Sequence, residues 1–167
     1  MALVNGLAGW GLHMHSLKWD RRYLNMAKLV ASWSKDPSTK CGAVIVNPDN
    51  AIVSIGFNGF PPGVVDHQDR LNHRDTKLAM TLHAETNAIL FAKQSLKGCT
   101  MYTWPMQACS QCAAMMIQAG IKHHTTVINN NEKWRDSWDI AHQMFKEAGV
   151  TLYSYHSAFL ERQNEII

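Results

Sequence analysis

The chain has 167 residues, of which 46% are hydrophobic and 17% are charged, and its formal net charge is +3. This composition is that of one ordinary globular domain, and it argues against long disorder, collagen-like repeats and coiled coils. No apolar run approaches the ~20 residues of a membrane span. A charge of +3 is also too weak to indicate a partner such as duplex nucleic acid.

The opening segment, residues 1–17, contains three glycines and no lysine or arginine. It therefore lacks the charged start of a secretory signal. The four cysteines of the chain are too few for a secreted disulfide scaffold. We expect a flexible N-terminal extension over residues 1–17, one domain over residues 18–167, and a cytoplasmic location.

The first half of the chain predicts a helix, a hairpin and a long loop. Apolar residues from Lys18 onward recur at helical spacing, and Pro37 should end the helix, because the residue before a proline avoids the α region. Two apolar runs, 42–46 and 51–57, flank an Asn-Pro-Asp-Asn turn and predict a β-hairpin. The stretch 58–80 is long and polar, which is typical of a functional or mobile loop.

The second half of the chain alternates helices with strands. Strands are predicted over 100–104, 125–128 and 150–155. Helices are predicted over 83–93, 109–119 and 134–148, and a glycine follows each of the last two. Helices that alternate with strands after an opening hairpin predict an α/β fold, with a mixed five-stranded sheet covered by helices.

Two short motifs carry chemistry: a His-Ala-Glu run at 83–85 and a Cys-Ser-Gln-Cys run at 109–112. One imidazole and two thiolates supply three zinc ligands and leave a fourth position open to water, which is the catalytic arrangement. Cys109 and Cys112 share one side of a first helical turn. His83 and Glu85 are about 200° apart around a helix, so both can approach one metal only off its N-terminus. The spacing therefore predicts two helix N-termini directed at one zinc, where their dipoles also stabilise the thiolates.

Glu85 is predicted to be the catalytic residue. Two thiolates cancel the formal charge of Zn²⁺, so the metal should acidify water less than one held by three neutral histidines. A nearby base is then needed, and Glu85 is placed to take a proton from water and deliver it to a ring nitrogen and a leaving amine. This set of residues is the one found in zinc nucleobase deaminases, and the reaction that such residues catalyse is hydrolytic deamination.

Two other interpretations of the cysteine pair stay open. A Cys-x-x-Cys pair is also found in redox sites and in structural zinc sites. A structural zinc would need a fourth protein ligand, and the candidates are Cys41, Cys99, His123 and His124. The presence of both motifs in this order favours the catalytic site.

Longer segments resemble a known family. HAETNAI (83–89) and CSQCAAMMIQAGI (109–121) resemble the cytidine and deoxycytidylate deaminase superfamily. SKDPSTKCGAVIV (34–46) and GFNGFPPG (56–63) are similar to its deoxycytidylate branch, and the resemblance extends over roughly 18–153. It implies a three-layer α/β/α cytidine-deaminase-like fold, a zinc-dependent deaminase domain, and hydrolysis of dCMP to dUMP and ammonia.

The resemblance also implies an assembly and its regulation. The family is commonly a homohexamer with one catalytic Zn²⁺ per subunit. It further implies activation by dCTP and inhibition by dTTP, with Mg²⁺ accompanying the nucleotide effector. The implied effector contacts lie in the glycine-rich loop: Gly56, Asn58, Gly59, Pro61 and Gly63.

Substrate contacts are implied at Ser34, Lys35, Asn58, Ala84 and Trp134. Ser34 and Lys35 supply a donor and a positive charge suited to a phosphate. The backbone N–H of Ala84 suits the pyrimidine edge, and Asn58 a sugar or base. Each has a simpler alternative, since Asn58 is favoured in turns, Lys35 in a solvated loop and Trp134 in a core. The family usually has tyrosine where Trp134 stands.

The chain departs from the family beside its first cysteine ligand. The family usually has proline immediately before that cysteine, whereas this chain has Ala108 there and Pro105 four positions before Cys109. Some members hold a second zinc near the polar stretch. His67 and His73 lie there, but the stretch contains no cysteine, so we expect solvated loop histidines.

Alternative functions remain at this point. The substrate could instead be CMP, dCTP, cytidine or a free base, since only a few contacts to the phosphate and the 2′ position separate them. The modest charge and the 34–46 and 56–63 segments argue against RNA editing. A non-catalytic zinc-binding nucleotide sensor is the alternative from another class, and the presence of Glu85 argues against it.

Overall fold

The computed structural model describes residues 3–4 and 16–161. Six strands form one mixed sheet in the order β1-β6-β5-β4-β2-β3. They are β1 (Leu3–Val4), β2 (Gly42–Val46), β3 (Ile52–Phe57), β4 (Thr100–Trp104), β5 (His123–Val127) and β6 (Thr151–Tyr155). The parallel strands β4, β5 and β6 adjoin the antiparallel hairpin β2–β3.

The five predicted strands are present, and β1 adds a short sixth one. Its two residues pair antiparallel with β6, so part of the segment expected to be a flexible extension belongs to the sheet. Residues 1–2 and 5–15 of that segment lie outside the described residues. Strand β5 begins two residues earlier than predicted, at His123.

The helices differ from the predictions mainly between the hairpin and the first motif. They are α1 (Leu17–Ala31), α2 (Gln68–Asn72), α3 (Arg74–Met80), α4 (Ala84–Phe91), α5 (Ser110–Gln118), α6 (Arg135–Ala148) and α7 (Ala158–Glu161). The stretch 58–80 was predicted to be a loop, which is wrong, because α2 and α3 lie within it. Helix α1 ends at Ala31, before Pro37, and α7 was not predicted.

Helices cover both faces of the sheet, so the fold has the three predicted layers. Alternate residues of a strand point to opposite faces. In β2, Ala43 and Ile45 belong to the core beneath α4, α5 and α6, whereas Val44 and Val46 belong to the core beneath α1 and α7. In the described part of the chain, no helix is long and apolar enough to cross a membrane.

Two glycines allow helices to approach the hairpin very closely. A Cβ built on Gly56 of β3 would lie 2.3 Å from the carbonyl oxygen of Ala84 and 2.4 Å from the nitrogen of Ala88, both in α4. A Cβ on Gly42 of β2 would lie 2.2 Å from the carbonyl oxygen of Ala27 in α1. Gly56 therefore fixes how near the sheet the first turn of α4 lies, and that turn carries Glu85.

Candidate active site

Two helix N-termini bring three ligand atoms together. His83 is the residue immediately before α4, and Cys109 is the residue immediately before α5, with Cys112 in its first turn. The His83 Nδ1 atom lies 3.5 Å from the Cys109 sulfur and 3.4 Å from the Cys112 sulfur. The predicted convergence of two helix N-termini is confirmed.

These distances fit a tetrahedral zinc site. Zn–S bonds of about 2.3 Å and a Zn–N bond of about 2.0–2.1 Å, at tetrahedral angles, place N and S about 3.6 Å apart. The three ligand atoms lie within 4.8 Å of one another, and the described residues contain no other such group of metal-ligating side chains. Borderline-soft zinc also suits a donor set of two sulfurs and one nitrogen. The residues present therefore fit the metal.

The electrostatics of the three ligand side chains favour a thiolate at Cys109. A hydrogen bond from the Cys112 thiol, aided by His83, lowers the pKa of Cys109 to about 4 although burial opposes the shift. The pKa of Cys112 is raised in turn, because that thiol is the donor of the pair. The hydrogen bond to Cys109 raises the pKa of His83 above its usual value, against the effect of burial.

Glu85 lies in the first turn of α4 and is only 7% exposed. Burial raises the pKa of its carboxyl group, and the nearby His83 partly offsets this rise. A carboxyl group with a raised pKa can both accept and return a proton near neutral pH. The side chain is therefore suited to proton transfer beside the ligand group.

A cavity of about 500 Å³ opens from this group. This volume is typical of a small-molecule site. His83, Glu85 and Cys109 contribute to its lining, together with polar and aromatic residues from four other parts of the chain: Asn58, Asn72, Thr81, Gln107, Asn131 and Trp134. Arg74, Lys77 and Lys133 also line it. The cavity thus joins a candidate metal-binding group and a buried carboxyl group to walls that contain three cationic side chains.

Comparison with known proteins agrees with this geometry. The family described as "Cytidine and deoxycytidylate deaminase zinc-binding region" matches residues 17–128. The chain belongs to this family. The match includes the three ligand residues and Glu85.

Relatives and solved structures give the same family. An uncharacterised deaminase of Aliivibrio fischeri is 46% identical over 136 residues, which cover 80% of this chain and 90% of the relative. Mouse deoxycytidylate deaminase is 42% identical over 147 residues, covering 83% of this chain and 80% of the relative. The structure of the dCMP deaminase of cyanophage S-TIM5 with dCMP and dUMP superposes with a TM-score of 0.68 at 25% identity, covering 86% of this chain and all of that one.

Asn58, a predicted substrate and effector contact, is buried and lines the cavity. Its side chain connects the end of the β2–β3 hairpin to the loop after α1. Its Oδ1 accepts the Cys41 N–H at 2.7 Å. Its Nδ2 donates to the Thr39 carbonyl oxygen at 2.9 Å and to Asp36 Oδ2 at 3.4 Å. Both amide hydrogens are therefore used within the protein, and the second lone pair of Oδ1 is the part left for a ligand.

Ser34 and Lys35 are not among the side chains that line the cavity. Ser34 is buried, and its hydroxyl donates to the Asn58 carbonyl oxygen at 2.7 Å. The Lys35 side chain is 70% exposed and pairs with Asp66 at 2.7 Å. The structure thus places Ser34 in the scaffold and Lys35 on the surface.

Ala84 and Trp134 do line the cavity. Ala84 is the first residue of α4, and N–H groups in a first helical turn have no intrahelical acceptor, so this one can bind a ligand. Trp134 ends a 3₁₀ turn (Glu132–Trp134) and is half-buried. Its ring meets the His83 ring edge-on, with centroids 6.2 Å apart.

The predicted effector loop divides into a structural and an exposed part. Gly56 is buried against α4, and Gly59 exchanges backbone hydrogen bonds with Leu82, next to His83. Gly63 is exposed, with φ of +86°, and the Pro61 carbonyl oxygen accepts the Val64 N–H in the same turn. The exposed end of the loop is the part accessible to a ligand.

None of the candidates for a fourth protein ligand joins the metal group. Cys41 lines the cavity, and burial raises the pKa of its thiol to about 12. Cys99 is buried in the core, and the His123 ring lies beside Tyr153. His124 is fully buried and makes two hydrogen bonds to the backbone.

Sequence reasoning missed several cavity residues, among them three cationic side chains and Gln107. Arg74, Lys77 and Lys133 lie in or next to short helical turns that have little apolar periodicity. Gln107 lines the cavity from the segment before Cys109, and its Oε1 lies 2.7 Å from His142 Nε2. For Arg74 and Lys77 the available sequence signal was the density of charge in the polar stretch 58–80, which was attributed to a loop.

Proposed function

We propose that this chain hydrolyses the amino group of dCMP, giving dUMP and ammonia. The observation that carries the proposal is the convergence of His83, Cys109 and Cys112 beside the buried carboxyl group of Glu85, at one end of a nucleotide-sized cavity. The mouse and human deoxycytidylate deaminases, which are 42% and 40% identical to this chain, support it.

The chain's own residues would hold the base and move protons. A zinc ion held by His83, Cys109 and Cys112 would supply a Lewis acid that activates water. Glu85 takes a proton from the attacking water, a C–O bond forms at C4 of the pyrimidine, and Glu85 gives that proton to N3. Glu85 then moves the proton of the new C4 hydroxyl to the amino group. The C–N bond breaks, ammonia leaves, and the ring keeps a carbonyl at C4 and a hydrogen on N3. The Ala84 N–H is placed to donate to the base.

The cavity walls support a monophosphate on the substrate. Arg74, Lys77 and Lys133 are cationic, whereas Glu85 is the acidic side chain among the described lining residues. Asp36 already engages Lys77 at 2.9 Å, which leaves Arg74 and Lys133 as the phosphate-binding candidates. Charge-assisted hydrogen bonds to a phosphate are about twice as strong as neutral ones. This assignment replaces Lys35, whose ammonium pairs with Asp66.

A substrate panel tests the proposal. The zinc-loaded chain is given dCMP, CMP, dCTP, deoxycytidine and cytosine in separate reactions, and the uracil product is quantified by chromatography. We expect the highest kcat/KM for dCMP. A higher kcat/KM for another member would move the function to that substrate, and zinc binding without turnover of any member would favour the nucleotide-sensor alternative.

Regulation and assembly form the second part of the proposal. The exposed turn at Gly63 supports a nucleotide effector, with dCTP activating, dTTP inhibiting and Mg²⁺ present as the counter-ion of the triphosphate. The test follows dCMP turnover at a subsaturating concentration with each triphosphate, with and without Mg²⁺. Unchanged rates with both nucleotides would contradict the regulatory part and leave the activity intact.

An apolar patch supports self-association into a hexamer. Trp33 and Phe57 contact each other edge-on at 6.2 Å between ring centroids, and both are exposed. Asn87 donates to the Phe57 carbonyl oxygen, and the exposed Leu90 and Phe91 follow it on the same side of α4. Light scattering measures the assembly, and a monomer at all concentrations would contradict it.

A cytoplasmic location stays a prediction, supported by four cysteines that form no disulfide bond.

A further inference from the structure

The backbone that leads into Cys109 is held by side chains from several elements. Thr103 of β4 donates to the Met106 carbonyl oxygen at 2.8 Å. Ser137 of α6 accepts the Ser110 N–H at 2.9 Å. These hydrogen bonds therefore hold the backbone on both sides of Cys109, although the segment before it has no regular secondary structure.

Ala108 is the point at which this path enters the core. It is 0% exposed, and its N–H donates to Nε2 of His124 at 3.1 Å. His124 belongs to β5 and is also 0% exposed. Its Nδ1 lies 3.2 Å from the carbonyl oxygen of Met101 in the neighbouring strand β4. The imidazole thus joins the sheet to the residue that precedes the metal ligand.

The two contacts define the state of the ring. Nε2 accepts a hydrogen bond and so carries no hydrogen, whereas Nδ1 donates to a carbonyl and does carry one. This is a neutral imidazole in a single tautomer. Burial lowers the pKa of His124 to about 4, which agrees with that state. The ring also packs against Phe145, with centroids 5.7 Å apart.

The hydrogen bond to His124 requires a backbone N–H at residue 108, which an alanine provides. A proline has no N–H, so a proline at this position would need no acceptor, and its ring would itself restrict the backbone. An alanine brings a donor into the core, where an unpaired N–H is costly. The His124 imidazole supplies the acceptor for this buried N–H.

We propose that His124 is a positioning residue that holds Cys109 in place for the metal through the N–H of Ala108. The proposal rests on the metal-binding role assigned to Cys109. It predicts that residues 108 and 124 are energetically coupled, and that loss of the imidazole weakens zinc retention more than a comparable loss of core packing does.

The primary test measures zinc release into a chromogenic chelator from the purified, zinc-loaded chain. We expect His124→Leu to release zinc about tenfold faster than wild type, since outer partners of a metal site commonly contribute that much. His124→Gln keeps an acceptor for the Ala108 N–H and should stay within a few fold of wild type. Phe145→Leu removes packing against the same ring and is the matched control.

A double variant tests the coupling. In the His124→Leu background, Ala108→Pro removes the unpaired N–H, so zinc release should slow relative to His124→Leu alone. Equal release from His124→Leu and Phe145→Leu at matched unfolding stability would overturn the proposal. A wild-type chain that retains no zinc would instead overturn the metal site of the proposed function, so the two failures are distinguishable.

A measurement on the wild-type chain avoids variants that fail to fold. Nitrogen-15 NMR of the zinc-loaded protein reports the tautomer of His124 and the scalar coupling across the hydrogen bond between the Ala108 nitrogen and Nε2. We expect the tautomer with hydrogen on Nδ1 and a detectable coupling. The opposite tautomer, or rapid exchange of the Ala108 amide, would contradict the proposal.

Discussion

Replacement of Lys77 by methionine should destabilise the fold strongly. The Lys77 ammonium lies 2.9 Å from Asp36 Oδ1 and 2.8 Å from the Ser38 hydroxyl oxygen. The Lys77 and Asp36 side chains are only 7% and 10% exposed. Removal of one partner from a buried pair commonly costs about 3–5 kcal/mol, because the other charge stays buried. Asp36 keeps the backbone N–H groups of Ser38 and Thr39 as donors, so we expect about 3 kcal/mol.

The same variant should change how stability depends on pH. Burial alone would raise the pKa of Asp36, but the hydrogen bonds from Lys77 and the backbone outweigh burial and hold it below its usual value. The pair therefore stabilises the wild type above the unfolded pKa of about 3.9, and this stability is lost as the pH falls through the lower folded pKa. Without Lys77 the pKa of Asp36 rises, so the difference between variant and wild type should be largest near neutral pH and shrink below about pH 4.

Urea denaturation at neutral and acid pH measures this effect. Asp36→Asn in the Lys77→Met background removes the unpaired charge and should recover part of the loss. Lys35→Met breaks an exposed pair with Asp66 and should leave the urea midpoint unchanged. A loss below about 1 kcal/mol for Lys77→Met, or a loss that does not vary with pH, would refute the reasoning.

Two further predictions concern the cavity. Arg74→Ala and Lys133→Ala should each raise KM for dCMP about tenfold, because each removes one charge-assisted hydrogen bond to the phosphate. The kcat/KM for deoxycytidine, which has no phosphate, should stay unchanged. An equal loss with both substrates would contradict phosphate binding. Gly56→Ala should cost about 1–3 kcal/mol in thermal denaturation and reduce turnover, because its Cβ would meet Ala84 in α4. Gly59→Ala is the matched control, since a Cβ there meets nothing nearer than 4.0 Å, and equal losses from both glycines would contradict the packing argument.

The sequence predicted the elements whose burial follows a simple period. Strand β4 has the predicted bounds, and β2 and β3 form the predicted hairpin. The helices α4 and α5 begin beside His83 and Cys109, as predicted. The prediction for α4 was possible because His83 and Glu85, two residues apart, can approach one metal only off a helix N-terminus. The candidate metal centre could be derived for the same reason, since its ligands lie close together in two short motifs.

The missed elements lack such a period. Helix α2 has five residues and a single buried apolar side chain, Leu71, so it produces no detectable repeat. The buried side chain of α3 is Lys77, which enters the interior because Asp36, 41 residues away in sequence, pairs with it. A local pattern contains no information about such a distant partner.

Of the substrate contacts predicted from the sequence, Asn58, Ala84 and Trp134 line the cavity, whereas Ser34 and Lys35 do not. Lys35 has the charge that a phosphate needs, but an ion pair with Asp66 engages it on the surface. Arg74 and Lys133 have the same charge and line the cavity from the first residue of α3 and from the 3₁₀ turn before α6. In the sequence, His124 was a candidate for a fourth zinc ligand, and no local pattern indicates the hydrogen bond that it accepts from the Ala108 N–H.

The most direct test of the account compares wild type with Glu85→Gln, each loaded with one zinc per chain and supplied with saturating dCMP. Glutamine keeps the size and polarity of the buried side chain but cannot transfer the proton. The account predicts equimolar dUMP and ammonia from the wild type, and a kcat lower by about a hundredfold to ten-thousandfold in the variant with zinc still bound. A zinc-loaded variant that turns over dCMP at the wild-type rate would contradict the role of Glu85, and a zinc-loaded wild type that forms no dUMP would contradict the assigned reaction.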